Sequence, residues 1–394
     1  MISLSSKQSW SRLQLLFFVI VGCGFTFLAQ QQMKMRRIGS SGLTKIDNND
    51  VKSIASRGSK KNVLDDEQWN QIKENTCPNK VPNSSIWPIL FEQARKELGF
   101  DFETIPRTPK DESFNEQFFN HSWDGVGYTS LDGEHHLVYL TIWKSANDNI
   151  RNNMNVSVRE KSNLWSEYVS KLWTPIPLLK RNQTCVVTAV RDPVSHFLSA
   201  YNEIEFRSTE SFRRKHRIRT NPKDKKKRYY ERYENGTDTR FERYVAEFIW
   251  GASTVSPSVQ PWNFYHLFSQ TGILWHLKEQ RETLGVNAPQ LTAYLPTLSN
   301  ISAAFPNMVA TNCPGFEDEF NRPFTKQWDH QSSKDESGFY AAAKRVWRKQ
   351  ESTSRALCAL HLMDYACFDL IPIPDLCQEV FSDSDFMDKL LPKK

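Results

Sequence analysis

Two strand-loop-helix units constrain this chain more than any other feature. The first is an apolar, β-branched run, Leu137-Val138-Tyr139-Leu140-Thr141-Ile142, that passes through Trp143-Lys144-Ser145-Ala146-Asn147-Asp148-Asn149-Ile150 into a polar helix. The second, Cys185-Val186-Val187-Thr188-Ala189-Val190, runs into Arg191-Asp192-Pro193 and a helix that carries Ser199-Ala200-Tyr201. Near-continuous apolar strands of this kind are buried on both faces, the mark of parallel sheets covered by helices. The expected fold is therefore α/β, with a central parallel sheet and helices on both of its faces.

Each unit ends in a corner suited to an anion. In the first, a small-residue loop can wrap a phosphate with backbone N–H groups, the helix N-terminus adds a partial positive charge, and Lys144 adds a full one. In the second, Pro193 suits the first turn of a helix, which leaves Arg191 at a strand's carboxyl end. Its planar fork of donors fits a phosphate, and Ser199 adds a hydroxyl about two turns along the helix. A salt bridge from Arg191 to Asp192 is the structural alternative. The first loop lacks the spacing G-x-x-x-x-G-K-[ST], which disfavours an ordinary nucleoside triphosphatase.

The two elements, in this order and about fifty residues apart, resemble those of the sulfotransferases that use 3'-phosphoadenosine 5'-phosphosulfate. The Arg-Asp-Pro...Ser-Ala-Tyr form is similar to the Golgi carbohydrate branch. Phe241-Glu242-Arg243-Tyr244-Val245 resembles that family's Phe-x-x-Phe-Val element, and Leu357 to Phe368 its closing helix, so the likeness spans roughly residues 130 to 370. It implies a P-loop-like nucleotide-binding fold. It also implies that Lys144, Ser145, Ala146, Asn147, Asp148 and Asn149 hold the 5'-phosphosulfate and that Arg191 and Ser199 hold the 3'-phosphate. The reaction implied is transfer of a sulfuryl group from this co-substrate to a carbohydrate hydroxyl. One departure stands out: Asp148 occupies a place where the family carries a hydroxyl residue, and capping of the helix by Asp148 or Asn147 would turn the carboxylate away from phosphate.

Such a transfer needs a cation as charge develops on the leaving phosphate, and Lys144 is the candidate. It also needs a base for the acceptor proton, for which Glu203, Glu205, His266 and His330 are candidates. Trp143, Trp262, Trp275 and Trp328 could serve as sugar platforms or as core. No cysteine or histidine cluster has metal-ligand spacing, so no metal is implied.

Leu13 to Ala29 is an apolar run at the short end for a membrane span, read as an uncleaved anchor rather than a cleaved signal peptide. Residues 1–12 then form a cytoplasmic tail, 30–66 a polar stem, and 67–394 a lumenal domain. Asn83, Asn120, Asn155, Asn182, Asn235 and Asn300 each open an N-x-[ST] triplet, and six cysteines follow Cys23. Both features suit an oxidising lumen, with Cys185 also readable as a free core thiol. The expected location is the Golgi membrane, single-pass, with the catalytic domain lumenal.

Arg207 to Arg232 holds twelve Lys or Arg against Glu210, Asp224 and Glu231, a local excess larger than the whole chain's +6. It reads either as a solvated insertion or as an electrostatic funnel for an acidic glycan. Nucleic acid is disfavoured by the lumenal signals, and oligomeric state is not legible. Residues 100 to 135, with Gly125, Gly127 and Gly133, read as loop-rich, and Pro372 and Pro374 as the end of regular structure before an acidic tail. Two other classes fit the anchor and sequons. A Golgi glycosyltransferase normally wants a D-x-D motif near the middle of its sequence, whereas Asp383-Ser384-Asp385 lies in the tail. A non-catalytic relative would be consistent with Asp148.

Overall fold

The computed structural model describes residues 64–99, 125–130, 133–160, 165–169, 184–208, 234–249, 267, 269–284, 290–325 and 338–391. Five strands form one sheet in the order β3-β1-β2-β4-β5, with β1 Gly125–Thr129, β2 His136–Leu140, β3 Trp165–Val169, β4 Thr184–Ala189 and β5 Leu291–Leu295. β2, β4 and β5 run parallel, but β1 is antiparallel to both β2 and β3. The expected parallel sheet is thus corrected to a mixed one. β1 falls in the stretch expected to be loop, because two glycines, each followed by a buried residue, Val126 and Tyr128, hid the strand.

Alternation along β2 and β4 divides the interior. Val138, Leu140, Val186 and Val190 face one apolar layer, while Leu137, Tyr139, Cys185, Val187 and Ala189 face the other. Both faces are apolar because helices cover both, as the unbroken hydrophobic runs require. On the second face lie α3 (Asn147–Glu160), through Ile150 and Met154, and α7 (Ile301–Asn312), through Phe305 and Val309.

The first face takes the larger set. α1 (Asp66–Thr76) is capped by Asp65, which accepts from the Gln68 N–H at 2.7 Å. α2 (Trp87–Leu98) buries Leu90, Phe91, Ala94 and Leu98 at helical spacing and stops at left-handed Gly99. α4 (Pro193–Ser208), α5 (Asp238–Ile249) and α6 (Gly272–Leu284) follow. Three further helices follow, α8 (Phe339–Lys349), α9 (Ser352–Leu360) and α10 (Leu362–Cys367).

The expected irregular tail is also corrected. α11 (Asp375–Phe381) and α12 (Ser384–Leu390) follow the prolines and bury Leu376, Val380, Phe381 and Phe386. Three disulfides, Cys77–Cys367, Cys185–Cys313 and Cys358–Cys377, use the six cysteines that follow Cys23, so Cys185 is bonded rather than free.

Among the described residues no helix is long and apolar enough to cross a membrane. The anchor, the stem up to residue 63, the basic insertion beyond residue 208, His266, His330, Trp262 and Trp328 lie outside the described residues.

Candidate active site

β2 and β4 are neighbours and parallel, so their carboxyl ends deliver the Lys144 loop and the Arg191 corner side by side. Arg191 bridges them: its Nη1 donates to the Lys144 carbonyl at 3.1 Å. The alternative pairing of Arg191 with Asp192 gives way to a different arrangement. Asp192 caps α4, accepting from the Ser195 N–H at 2.7 Å through one oxygen and from the Tyr365 hydroxyl at 2.6 Å through the other. With Pro193 as the first helical residue, α4 starts with its orphan donors answered.

The Lys144 loop is bent more sharply. Lys144 and Ala146 both adopt left-handed backbone, φ 66° and 54°. Each such turn costs a non-glycine residue roughly 1–2 kcal/mol. Neighbours hold the bend. His196, fully buried on α4, lies with Nε2 at 2.7 Å from the Trp143 carbonyl, an atom that can only accept, so Nε2 carries the proton. Burial pushes its pKa down to about 3, and the ring is neutral. Thr188 donates to the Leu140 carbonyl at 2.8 Å, joining the strands just below.

Asn147 and Asp148 are the first two residues of α3, not its cap. Asn147 donates to Asp148 Oδ1 at 3.1 Å, and the carboxylate sits in the first turn, where the helix dipole favours it. Asn149 accepts from the Asn153 amide with its side chain at 2.6 Å. Ser145 is buried, and its hydroxyl donates inward to Gln270 at 3.4 Å.

Ser195, Ser199 and Glu203 recur every fourth residue and share one stripe of α4 below the Arg191 corner. Lys144 Nζ lies 2.7 Å from Glu203 Oε2, both side chains about one-fifth exposed. Ser199 is half-buried between the corner and Glu203. Glu205, two residues on, points the other way. It is buried against Arg240, whose Nε and Nη2 both donate to its Oε2, and burial raises its pKa against the pull of that partner. The structure therefore divides the two glutamates: Glu203 belongs to the site, and Glu205 to the core.

Two residues that support the site, His196 and Gln270, were not among the sequence candidates. Gln270 is fully buried, accepts from the Arg191 N–H at 3.0 Å and donates to the Arg191 carbonyl at 2.8 Å. It belongs to none of the quoted motifs. The closing-helix likeness, by contrast, included Asp364 and Tyr365, both of which reach the site's supports.

Two cations held at adjacent parallel strand ends, with a helix N-terminus following the lysine loop and a carboxylate on the lysine, fit a ligand with two anionic groups and a partner whose proton must be taken. The Sulfotransferase family model matches residues 129–387. The chain belongs to that family. Within this sulfotransferase, the Phe-x-x-Phe-Val-like element is the buried side of α5, where Phe241 and Tyr244 pack on Tyr201. The Asp383-Ser384-Asp385 match to a glycosyltransferase motif is structural: Asp383 caps α12, and both aspartates pair with Lys96. No curated protein and no solved structure matches the chain.

Proposed function

We propose that this sulfotransferase moves the sulfuryl group of 3'-phosphoadenosine 5'-phosphosulfate to a carbohydrate hydroxyl. The observation that carries the reading is the convergence of Lys144 and Arg191, linked through the Lys144 carbonyl, at neighbouring strand ends. The residues fit the donor's two anionic ends. Lys144 and the first turn of α3 would hold the 5'-phosphosulfate, and Arg191 and Ser199 the 3'-phosphate.

The acceptor oxygen attacks sulfur, the bond from sulfur to the bridging phosphate oxygen breaks, and adenosine 3',5'-bisphosphate leaves. Lys144 neutralises charge as it builds on that oxygen. Glu203 takes the acceptor's proton, since it is the candidate base that touches the lysine. For that, the Lys144–Glu203 pair must part when the donor enters.

The acceptor is an acidic glycan in this reading, drawn by the Arg207 to Arg232 run. The enzyme sits in the Golgi membrane by the Leu13 to Ala29 anchor, with the catalytic domain lumenal. Support comes from the six cysteines after Cys23, which are all bonded, as an oxidising compartment favours. The test is calorimetry of adenosine 3',5'-bisphosphate with the full-length protein in detergent, followed by sulfate transfer to acidic and neutral glycans. Absence of binding would leave the non-catalytic reading in its place.

A further inference from the structure

Gln270 stands in a turn that nothing in the reaction itself requires. Its amide clamps both backbone groups of Arg191, and its oxygen also takes the Ser145 hydroxyl, so one side chain touches both donor elements. The turn is held in its own right. Asp364 Oδ1 accepts from the Ser269 hydroxyl at 2.6 Å and from the Thr271 N–H at 2.9 Å, while Oδ2 lies 2.7 Å from His361 Nδ1. All of these groups are buried. The next residue, Tyr365, holds the other side of the corner through Asp192.

We propose that Gln270 is a positioning residue for sulfuryl transfer, set by Asp364 of α10, which fixes the Arg191 backbone and with it the distance between the arginine and the lysine loop. The proposal rests on the donor reading above. A guanidinium on a long side chain is aimed by its backbone, and an amide bonded to both the N–H and the C=O of one residue removes the freedom of that residue's peptide planes. A preorganised fork loses less on binding than one that must first be ordered.

Gln270→Asn, one methylene shorter, cannot span both contacts. Calorimetry on the wild-type protein, Gln270→Asn, Arg191→Ala and the double variant separates positioning from mere support. Gln270→Asn should weaken adenosine 3',5'-bisphosphate binding about tenfold while kcat at saturating donor stays within about threefold. In the Arg191→Ala background the same change should add less than about twofold, because the guanidinium that the clamped backbone aims is gone. Unchanged affinity, or a full additional tenfold loss without Arg191, overturns the positioning role while leaving the donor reading intact. No binding by the wild-type protein overturns both. Should Gln270→Asn fail to fold, Ser269→Ala takes its place: it removes one bond to Asp364, and about a threefold loss that vanishes without Arg191 is expected. No loss in that variant overturns the proposal.

Discussion

The Lys144 loop and the Arg191 corner leave adjacent strands at the same end of the sheet, yet their backbones are treated in opposite ways. The loop carries two left-handed residues without glycine and a lysine whose carboxylate partner is partly exposed. The corner carries no positive φ, starts its helix with an aspartate cap and proline, and has its peptide groups clamped by a buried amide. Cost is concentrated where charge must be free to change partners, and satisfaction where an anion must be anchored. Rate should therefore be read at the loop and affinity at the corner.

The sharpest break in that division would come from Lys144→Ala. We expect kcat to fall on the order of 10²–10³-fold, with the melting temperature nearly unchanged. A variant that keeps wild-type turnover would remove the lysine from the chemistry. Arg191→Ala should raise the donor KM by an amount equivalent to about 1.5–3 kcal/mol while kcat at saturation changes little. If kcat falls instead and affinity holds, the two corners have exchanged roles.

His196 supports the loop from beneath and gives a pH test. Its folded pKa lies at about 3 against the ordinary 6.5, so between those values the unfolded chain takes a proton that the folded one refuses. Stability should fall as pH drops below about 6.5, by roughly 1.4 kcal/mol per unit from this residue, and be flat above it. Urea unfolding of His196→Gln, which keeps a donor for Trp143 but does not titrate, should show a shallower acid slope. An identical slope would show that the ring does not refuse the proton. The smallest effect belongs to Ser199→Ala, which should weaken donor binding by about 0.5–1.5 kcal/mol.

Both corners were legible because strand, loop and helix each leave a local mark: β-branched runs, a proline at the first helical turn, small residues between. β1 was not, since glycines at 125 and 127 read as turns until a partner strand on each side gave them a place. Glu203 and Glu205 look alike in sequence. Only the rotation of α4 sends one to Lys144 and the other to Arg240. Gln270 had no local mark at all, because its partner lies 79 residues away and an amide in a polar turn is ordinary. The C-terminal helices were hidden by prolines that end one element without forbidding the next.

The covalent map of the protein adds a property of a different kind. Cys77–Cys367 and Cys185–Cys313 form two loops, and both enclose the lysine- and arginine-rich stretch between α4 and α5. A trypsin-like cut in that stretch would leave the two pieces joined twice over. Such a nicked molecule would run as one species until a thiol is added, with Lys144 and Arg191 on one fragment and Gln270 and Asp364 on the other.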